Sequence, residues 1–210
     1  MKNIKSNYLI QDIFSLLNKG RKFKLVKYNK NLQNILGINL IDFKHLSGKY
    51  IIYEINGKGK EYNLNDELVF EGEYLNEKRN GKGKEYNYDG NLVFEGEYLY
   101  SKRNGIGKEY NYDGKLVFEG EYLNGKRWNG KGYDMDENNI YILKDGKGFV
   151  KEYHCNDELQ FEGEFLNGEK NGKGKEYNYK GKLRFIGEYL NGKRWNGKGY
   201  DTDKNNIYMP

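Results

Sequence analysis

The chain has 210 residues, 36 basic and 31 acidic side chains, a formal charge of +5 and a mean hydropathy of −1.03. Such polarity would suit disorder, but 21 tyrosines, 10 phenylalanines and a single proline, Pro210, exclude it, since disordered segments are poor in aromatics and rich in proline. The charge is small and interspersed, so it permits contact with an anionic surface without calling for one, and no nucleic-acid partner is expected.

One cysteine, Cys155, cannot close an internal disulfide and suits a reducing compartment. The opening MKNIKSNYLI lacks the apolar run of a signal peptide, and no stretch approaches the ~18 apolar residues of a membrane span. A cytoplasmic protein is expected, with a peripheral place at a membrane as the alternative.

Residues 1–45 are predicted to form a small helical segment. Apolar residues from Tyr8 to Leu17 fall at helical spacing, with Ser6 or Asn7 as N-cap and Gly20 as the stop. Phe23 to Tyr28 and Leu32 to Leu36 suggest two further short helices, and Ile38 to Phe43 a fourth. The segment reads as a cap on the first sheet edge. IFSLL followed by KLVKYNKNL also resembles a degenerate F-box without its early Leu-Pro, which implies a substrate adaptor of a ubiquitin ligase.

From residue 46 onward the chain is periodic. The string F-x-G-E-[YF] starts at Phe70, Phe94, Phe118, Phe161 and Phe185, at steps of 24, 24, 43 and 24 residues. One step back from Phe70, Leu46-Ser-Gly48-Lys-Tyr50 is a degenerate copy. The units lie near 46–69, 70–93, 94–117, 118–141, a short irregular 142–160, 161–184 and 185–210. RWNGKGYD occurs at Arg127–Asp134 and again at Arg194–Asp201, and NNIY follows each copy. The array is therefore expected to end in mid-unit, without a dedicated C-terminal cap.

Each unit is predicted to be a β-hairpin. Asp89-Gly90 suits a two-residue type I′ turn, which needs positive φ at both positions. That turn sets Lys82 against Glu97, Lys84 against Glu95 and Tyr86 against Val93, and on the other face Gly81 against Tyr98, Gly83 against Gly96 and Glu85 against Phe94. The same register in neighbouring units gives Lys58–Glu73, Lys60–Glu71 and Tyr62–Val69 about Asn65-Asp66, and Lys108–Glu119 and Tyr110–Val117 about Asp113-Gly114. About Lys180-Gly181 it gives Lys175–Ile186 and Tyr177–Arg184. Two ion pairs per unit are expected from it. Asn-Gly in KRNGKG is read as the second turn, handing each hairpin to the next. The expected fold is mainly β, an elongated antiparallel meander of stacked hairpin repeats behind the helical segment.

F-x-G-E-Y-L-N-G-K-R-N-G-K-G resembles the signature of membrane occupation and recognition nexus (MORN) repeats, over about residues 46–208. The loop glycine of that signature is present at Gly125, Gly168 and Gly192 but is Glu77 and Ser101 elsewhere, and Trp128 and Trp195 look like insertions. The resemblance implies an assembly scaffold that can self-associate and, in some members, bind membranes or phosphoinositides.

Little in the chain points to catalysis. His154 and Cys155 are adjacent, so on a strand their side chains diverge, and His45 stands alone. Gly-Lys-Gly lacks the rest of a phosphate loop. Asp134-Met-Asp-Glu-Asn138 mimics the start of an EF-hand loop but has Asn139 where glycine is needed, so it reads as a polar turn. No enzyme activity, cofactor, catalytic residue or metal site is expected. The expected function is a protein-binding scaffold, with Tyr86, Tyr110, Tyr177, Trp128 and Trp195 as contact candidates. Lys82, Lys84, Lys108, Lys173 and Lys175 are the candidates for an anionic membrane surface.

Overall fold

The computed structural model describes residues 2–26, 29–38, 48–54, 56–134, 136, 138–154, 158–200 and 206–209. Contacts divide the chain into two units, Met1–Phe70 and Glu71–Pro210.

The first unit holds α1 (Lys2–Ser15), α2 (Lys19–Val26), α3 (Lys30–Leu36), β1 (Lys49–Tyr53) and β2 (Lys58–Asn63). The spacing located the helices but not their ends. Helix α1 starts at Lys2, so Ser6 and Asn7 lie inside it rather than at its cap, and Gly20 lies inside α2 instead of stopping α1. The expected fourth helix falls largely outside the described residues. Helix α3 is capped at both ends: Asn29 Oδ1 accepts from the Leu32 amide at 2.9 Å, and Gly37 at φ 63° closes the C-terminus with Ile38 N–H on Gln33 O. It packs against both α1 and α2. Leu9 and Ile13 of α1, and Leu16 just after it, stay exposed. In the β part, the degenerate copy at residue 46 does supply β1, whose Tyr50 stacks on Tyr62 of β2 at 5.2 Å.

From residue 68 the strands are β3 (Leu68–Leu75), β4 (Lys78–Tyr86), β5 (Leu92–Leu99), β6 (Lys102–Tyr110), β7 (Leu116–Leu123), β8 (Lys126–Tyr133) and β9 (Asn139–Leu143). They continue as β10 (Gly148–Tyr153), β11 (Leu159–Leu166), β12 (Glu169–Tyr177), β13 (Leu183–Leu190), β14 (Lys193–Tyr200) and β15 (Asn206–Met209). Strands β1 and β2 pair antiparallel in the first unit; in the second, β4 to β9 pair antiparallel in sequence order and β10 to β15 do the same as a separate sheet. Strands β9 and β10 meet at the turn Asp145-Gly146, where Lys144 pairs with Lys147.

The register expected for β4 and β5 is present from Gly81–Tyr98 to Glu85–Phe94, and Lys108–Glu119 and Lys175–Ile186 follow it. The turns, however, are exchanged. Gly90 alone has positive φ, so Asp89-Gly90 is not a type I′ turn. The loop is a wider one, with the Gly90 amide on Asn87 O and Asn87 Oδ1 accepting from the Asp89 and Asn91 amides. One residue is therefore left over: Tyr86 faces Leu92 rather than Val93, Tyr110 faces Leu116 rather than Val117, and Tyr177 faces Leu183 rather than Arg184. Asp134 repeats this loop, its Oδ1 accepting from the Asp136 and Asn138 amides, so the EF-hand mimic is a turn.

The two-residue turns with both φ positive are Asn76-Glu77, Tyr100-Ser101, Asn124-Gly125, Asp145-Gly146, Asn167-Gly168 and Asn191-Gly192. The Asn-Gly of KRNGKG instead lies within a strand, as a bulge. Gly81 takes φ 95° there; in the copy KRNGIG, Gly105 takes φ 97°, and the Glu97 carboxylate folds over it to accept from the Ile106 amide at 3.1 Å. Glu164 does the same over Gly172, accepting from the Lys173 amide at 3.1 Å.

The type I′ turns stack. Each second turn residue donates its amide to the unit before: Ser101 to Arg79 O, Gly125 to Arg103 O, Gly146 to Trp128 O, Gly168 to Gly146 O and Gly192 to Lys170 O, all at 2.8–2.9 Å. This ladder runs past the junction of the two sheets. The tryptophans mark a shortened strand rather than an insertion. Lys102 is five residues before the paired Gly107, whereas Lys126 is four before the paired Gly130. The bulge shrinks, and the Asn129 amide takes the Glu121 carboxylate at 2.6 Å.

Candidate functional site

Strand alternation gives each sheet two faces of opposite chemistry. On the packed face, Phe70, Phe94, Phe118, Phe161 and Phe185 are fully buried. The rings of Phe94, Phe118, Phe161 and Phe185 lie against glycines, Phe94 on Gly96 and Gly107 and Phe118 on Gly130, which supply room because they carry no Cβ. Tyrosines meet the rings edge-on, as Tyr122 meets Phe94 at 5.0 Å and Tyr189 meets Phe161 at 5.4 Å. Burying one such ring contributes about 1.5–3 kcal/mol.

Glu85, which falls opposite Phe94, is accommodated by a chain of charges over the rings. It bonds Arg79 at 2.9 Å and Arg103 at 2.6 Å, while Glu109 bonds Arg103 at 3.5 Å and Arg127 at 2.9 Å. In the second sheet Lys170 bonds Glu152 at 3.1 Å, and Arg194 bonds Glu176. The cations also lie over phenylalanines, Arg103 over Phe94 at 4.1 Å and Lys170 over Phe161 at 4.0 Å. Burial opposes ionisation of Glu109, but Arg127 and Arg103 outweigh it and hold the carboxyl below its ordinary range.

The opposite face carries the lysines. Here the tyrosine candidates are half-buried and occupied. Tyr86, Tyr110 and Tyr177 donate their hydroxyls to Glu71, Glu95 and Glu162 at 2.7, 2.8 and 2.9 Å, and Tyr133 donates to Glu119. Burial and then the carboxylate push the Tyr86 and Tyr110 phenols up to about 12. These bonds tie the two neighbouring strands of a unit together, since each joins residues 14 or 15 apart.

The expected ion pairs of Lys82 and Lys84 do not form. Although both lysines face glutamates, Glu95 is taken by Tyr110 and Glu97 by the bulge amide. Among the described residues Lys82, Lys84, Lys108 and Lys173 have no ion pair, while Lys175 bonds Glu162 at 2.9 Å. The tryptophan copies differ: Trp128 packs on Gly146, whereas Trp195 is 63% exposed.

The same face exposes Ile106, Ile142, Phe149 and Ile186, none of which was singled out from the sequence. The signal was there, because each stands where another unit carries lysine or glutamate. Of the potential chemical groups, His154 Nε2 contacts Tyr177 O at 3.1 Å, and His45 and Cys155 lie outside the described residues. Among the described residues no cluster of three metal-ligating side chains occurs, and no helix is long and apolar enough to cross a membrane.

No family model matches the chain, and no curated protein matches it. Among solved structures it is similar to one titled "Crystal Structure of TarM", with a TM-score of 0.32 and 17% identity over 68% of this chain and 26% of that one. The chain thus spans about a quarter of the length of that structure, and a likeness of this size bears on neither fold nor function.

Proposed function

We propose that the chain is a MORN-type repeat protein acting as a non-enzymatic, protein-binding scaffold. The observation that carries this reading is the division of labour between the faces. Arg79, Arg103, Arg127 and Arg194 are engaged with Glu85, Glu109 and Glu176, and Tyr86, Tyr110, Tyr133 and Tyr177 with glutamates of the neighbouring strand, so these groups serve to hold the array together. The lysine face instead carries Lys82, Lys84, Lys108 and Lys173, which have no ion pair among the described residues, and the exposed apolar side chains Ile106 of β6 at 58%, Ile142 of β9 at 63% and Phe149 of β10 at 55%. Apolar groups grouped in a polar frame mark interaction surfaces.

The test uses the immobilised full chain in extract of its source cells. A protein recovered this way, purified and remeasured, is expected to bind the parent and to lose about tenfold or more in affinity to Ile106→Lys combined with Ile142→Glu. These changes install residues that other units carry at those places, so the sheet tolerates them. Binding unaffected by the pair, or no protein partner at all, would overturn the reading.

A further inference from the structure

We propose that the lysine face of the second sheet holds a docking groove for an acidic peptide segment bearing a bulky apolar side chain. This deepens the scaffold reading and rests on it, committing it to one place and one partner chemistry.

The units act as internal controls for one another. The residue after the phenylalanine of F-x-G-E sits between two lysines on the flanking strands. Glu95 lies between Lys84 and Lys108, Glu119 between Lys108 and Lys131, and Glu162 between Lys151 and Lys175. Ile186 takes the same place between Lys175 and Lys198. The register is the same with glutamate or isoleucine, so the fold does not require the change. Phe149 is a second replacement. It faces Glu164 just as Lys82 faces Glu97 and Lys173 faces Glu188.

These two exchanges of charge for bulk fall on the walls of one groove. Phe149 and Ile186 bound a cavity of about 370 Å³ that is also lined by Gly174 and Gly187, by Lys173 and Glu188, and by Lys175 and Glu162. Lys175 and Glu162 pair with each other at 2.9 Å, so the lysines left to receive a carboxylate are Lys173 and, beside the groove, Lys198. Gly174 and Gly187 are paired across β12 and β13, and their Cβ positions face the phenylalanines of the packed side, so backbone forms the floor on the lysine face. The volume lies at the low end of the ~300–1,000 Å³ of ligand sites, which suits one or two side chains rather than a whole cofactor. Phe149 is 55% exposed and Ile186 37%.

Charge names the neighbour of that side chain. Replacing glutamate by Ile186 removes the carboxylate that Lys198 would face. The register partners of Lys198 are Ile186 and Tyr208, neither of them acidic, and the lysine is exposed. Lys173 faces Glu188 without an ion pair among the described residues. A segment that seats an apolar side chain between Phe149 and Ile186 and brings a carboxylate to Lys198 restores the missing member of the row. Surface ion pairs alone give little energy, so the apolar seat is expected to carry affinity and the lysines orientation and rate.

The experiment is fluorescence anisotropy of the full chain with a labelled short peptide of two leucines flanked by glutamates. Two control peptides replace the glutamates by lysines or the leucines by glycines. Sedimentation with phosphatidylserine-containing vesicles runs alongside. The decisive variant is Phe149→Lys with Ile186→Glu, which restores what other units carry, and its melting curve checks the fold. Saturable binding is expected, weakened about tenfold or more by the double variant or by either control peptide, and weaker at high salt. Equal binding by the double variant, equal binding of the lysine-flanked peptide, no peptide binding, or binding to vesicles alone would overturn the groove. If the immobilised chain captures a protein that the double variant retains, the scaffold reading stands and this site falls. If no protein is captured while the peptide binds as expected, the groove stands and the wider reading falls.

Discussion

Alanine at Gly107 tests how closely the phenylalanine rings lie on the glycines. A Cβ there would stand 2.5 and 2.8 Å from two ring atoms of Phe94 and 3.2 Å from the Glu95 carbonyl oxygen. The ring cannot swing aside. Tyr98 and Tyr122 meet it edge-on at 5.6 and 5.0 Å, and Arg103 lies 4.1 Å above it. Overpacking of a tight core costs ~1–3 kcal/mol, and the rigid surroundings place this case near the top of that range. At roughly 2–4 °C per kcal/mol for a chain of this size, the melting temperature is expected to fall by about 6–12 °C. Phe94→Ala alone is expected to cost about 3–5 kcal/mol. In the double variant the new methyl has room, so the loss is expected to be less than the sum by about 2 kcal/mol. Melts followed by far-ultraviolet circular dichroism measure all three. Gly90→Ala is the control: Gly90 has φ 80° and open space around it, so only the left-handed penalty of ~1–2 kcal/mol applies, whatever stands at position 94. Additive losses for Gly107→Ala and Phe94→Ala would refute the ring-over-glycine packing.

Glu109→Gln removes a carboxylate held between Arg103 and Arg127, and a loss of about 1.5–3 kcal/mol at neutral pH is expected in urea titrations. Because the Glu109 carboxyl is held below its ordinary value, its stabilisation is full above the unfolded value near ~4.3 and is lost as pH falls through the folded one. The variant should therefore lose stability less steeply than the parent on acidification below about pH 4, and parallel acid curves would contradict this. Tyr110→Phe deletes the 2.8 Å bond to Glu95, costing about 1 kcal/mol, and removes one phenol ionisation near 12 from a spectrophotometric titration. With its folded value raised, that phenol stabilises fully below pH ~10 and ceases to as pH climbs towards 12, so the parent and the variant should converge in alkali. Trp195→Phe should remove most acrylamide-accessible emission and leave the Trp128 signal, and the opposite assignment would contradict the difference in exposure.

The repeat was legible because period, glycine placement and the alternation of phenylalanine with glutamate all demand the same pairing. The register from Gly81 to Glu85 follows from it. The turns were not legible in the same way, because Asn-Gly and Asp-Gly suit both a type I′ turn and a positive-φ residue in a wider loop or bulge. Asn124-Gly125 and Asn104-Gly105 are the same dipeptide, yet the first is a turn and the second a bulge held by Glu97. The dipeptide is the same, and what accompanies the bulge is a carboxylate from the facing strand, which the dipeptide does not announce. The same limit applied to the lysine–glutamate pairs. Opposition was read correctly, but the tyrosine hydroxyls and bulge amides that compete for the carboxylates come from other strands. The apolar residues of the lysine face were visible in the letters. Ile106, Phe149 and Ile186 are departures from an otherwise charged pattern, and they gain meaning once register places them on one face. Helix ends in the first unit failed for another reason: with Ser6, Asn7 and Gly20 inside helices, cap propensity was outweighed by continuation of the helix.

The glycine pairs give the most direct test of the stacked-hairpin account. Selective glycine labelling and nuclear Overhauser spectroscopy on the full chain read contacts between facing Hα protons. Close contacts are expected for Gly96 with Gly107, Gly120 with Gly130, Gly163 with Gly174 and Gly187 with Gly197. Their absence, or contacts placing Gly105 in a turn between two strands in place of the Gly96–Gly107 pair, would contradict the register on which both faces depend.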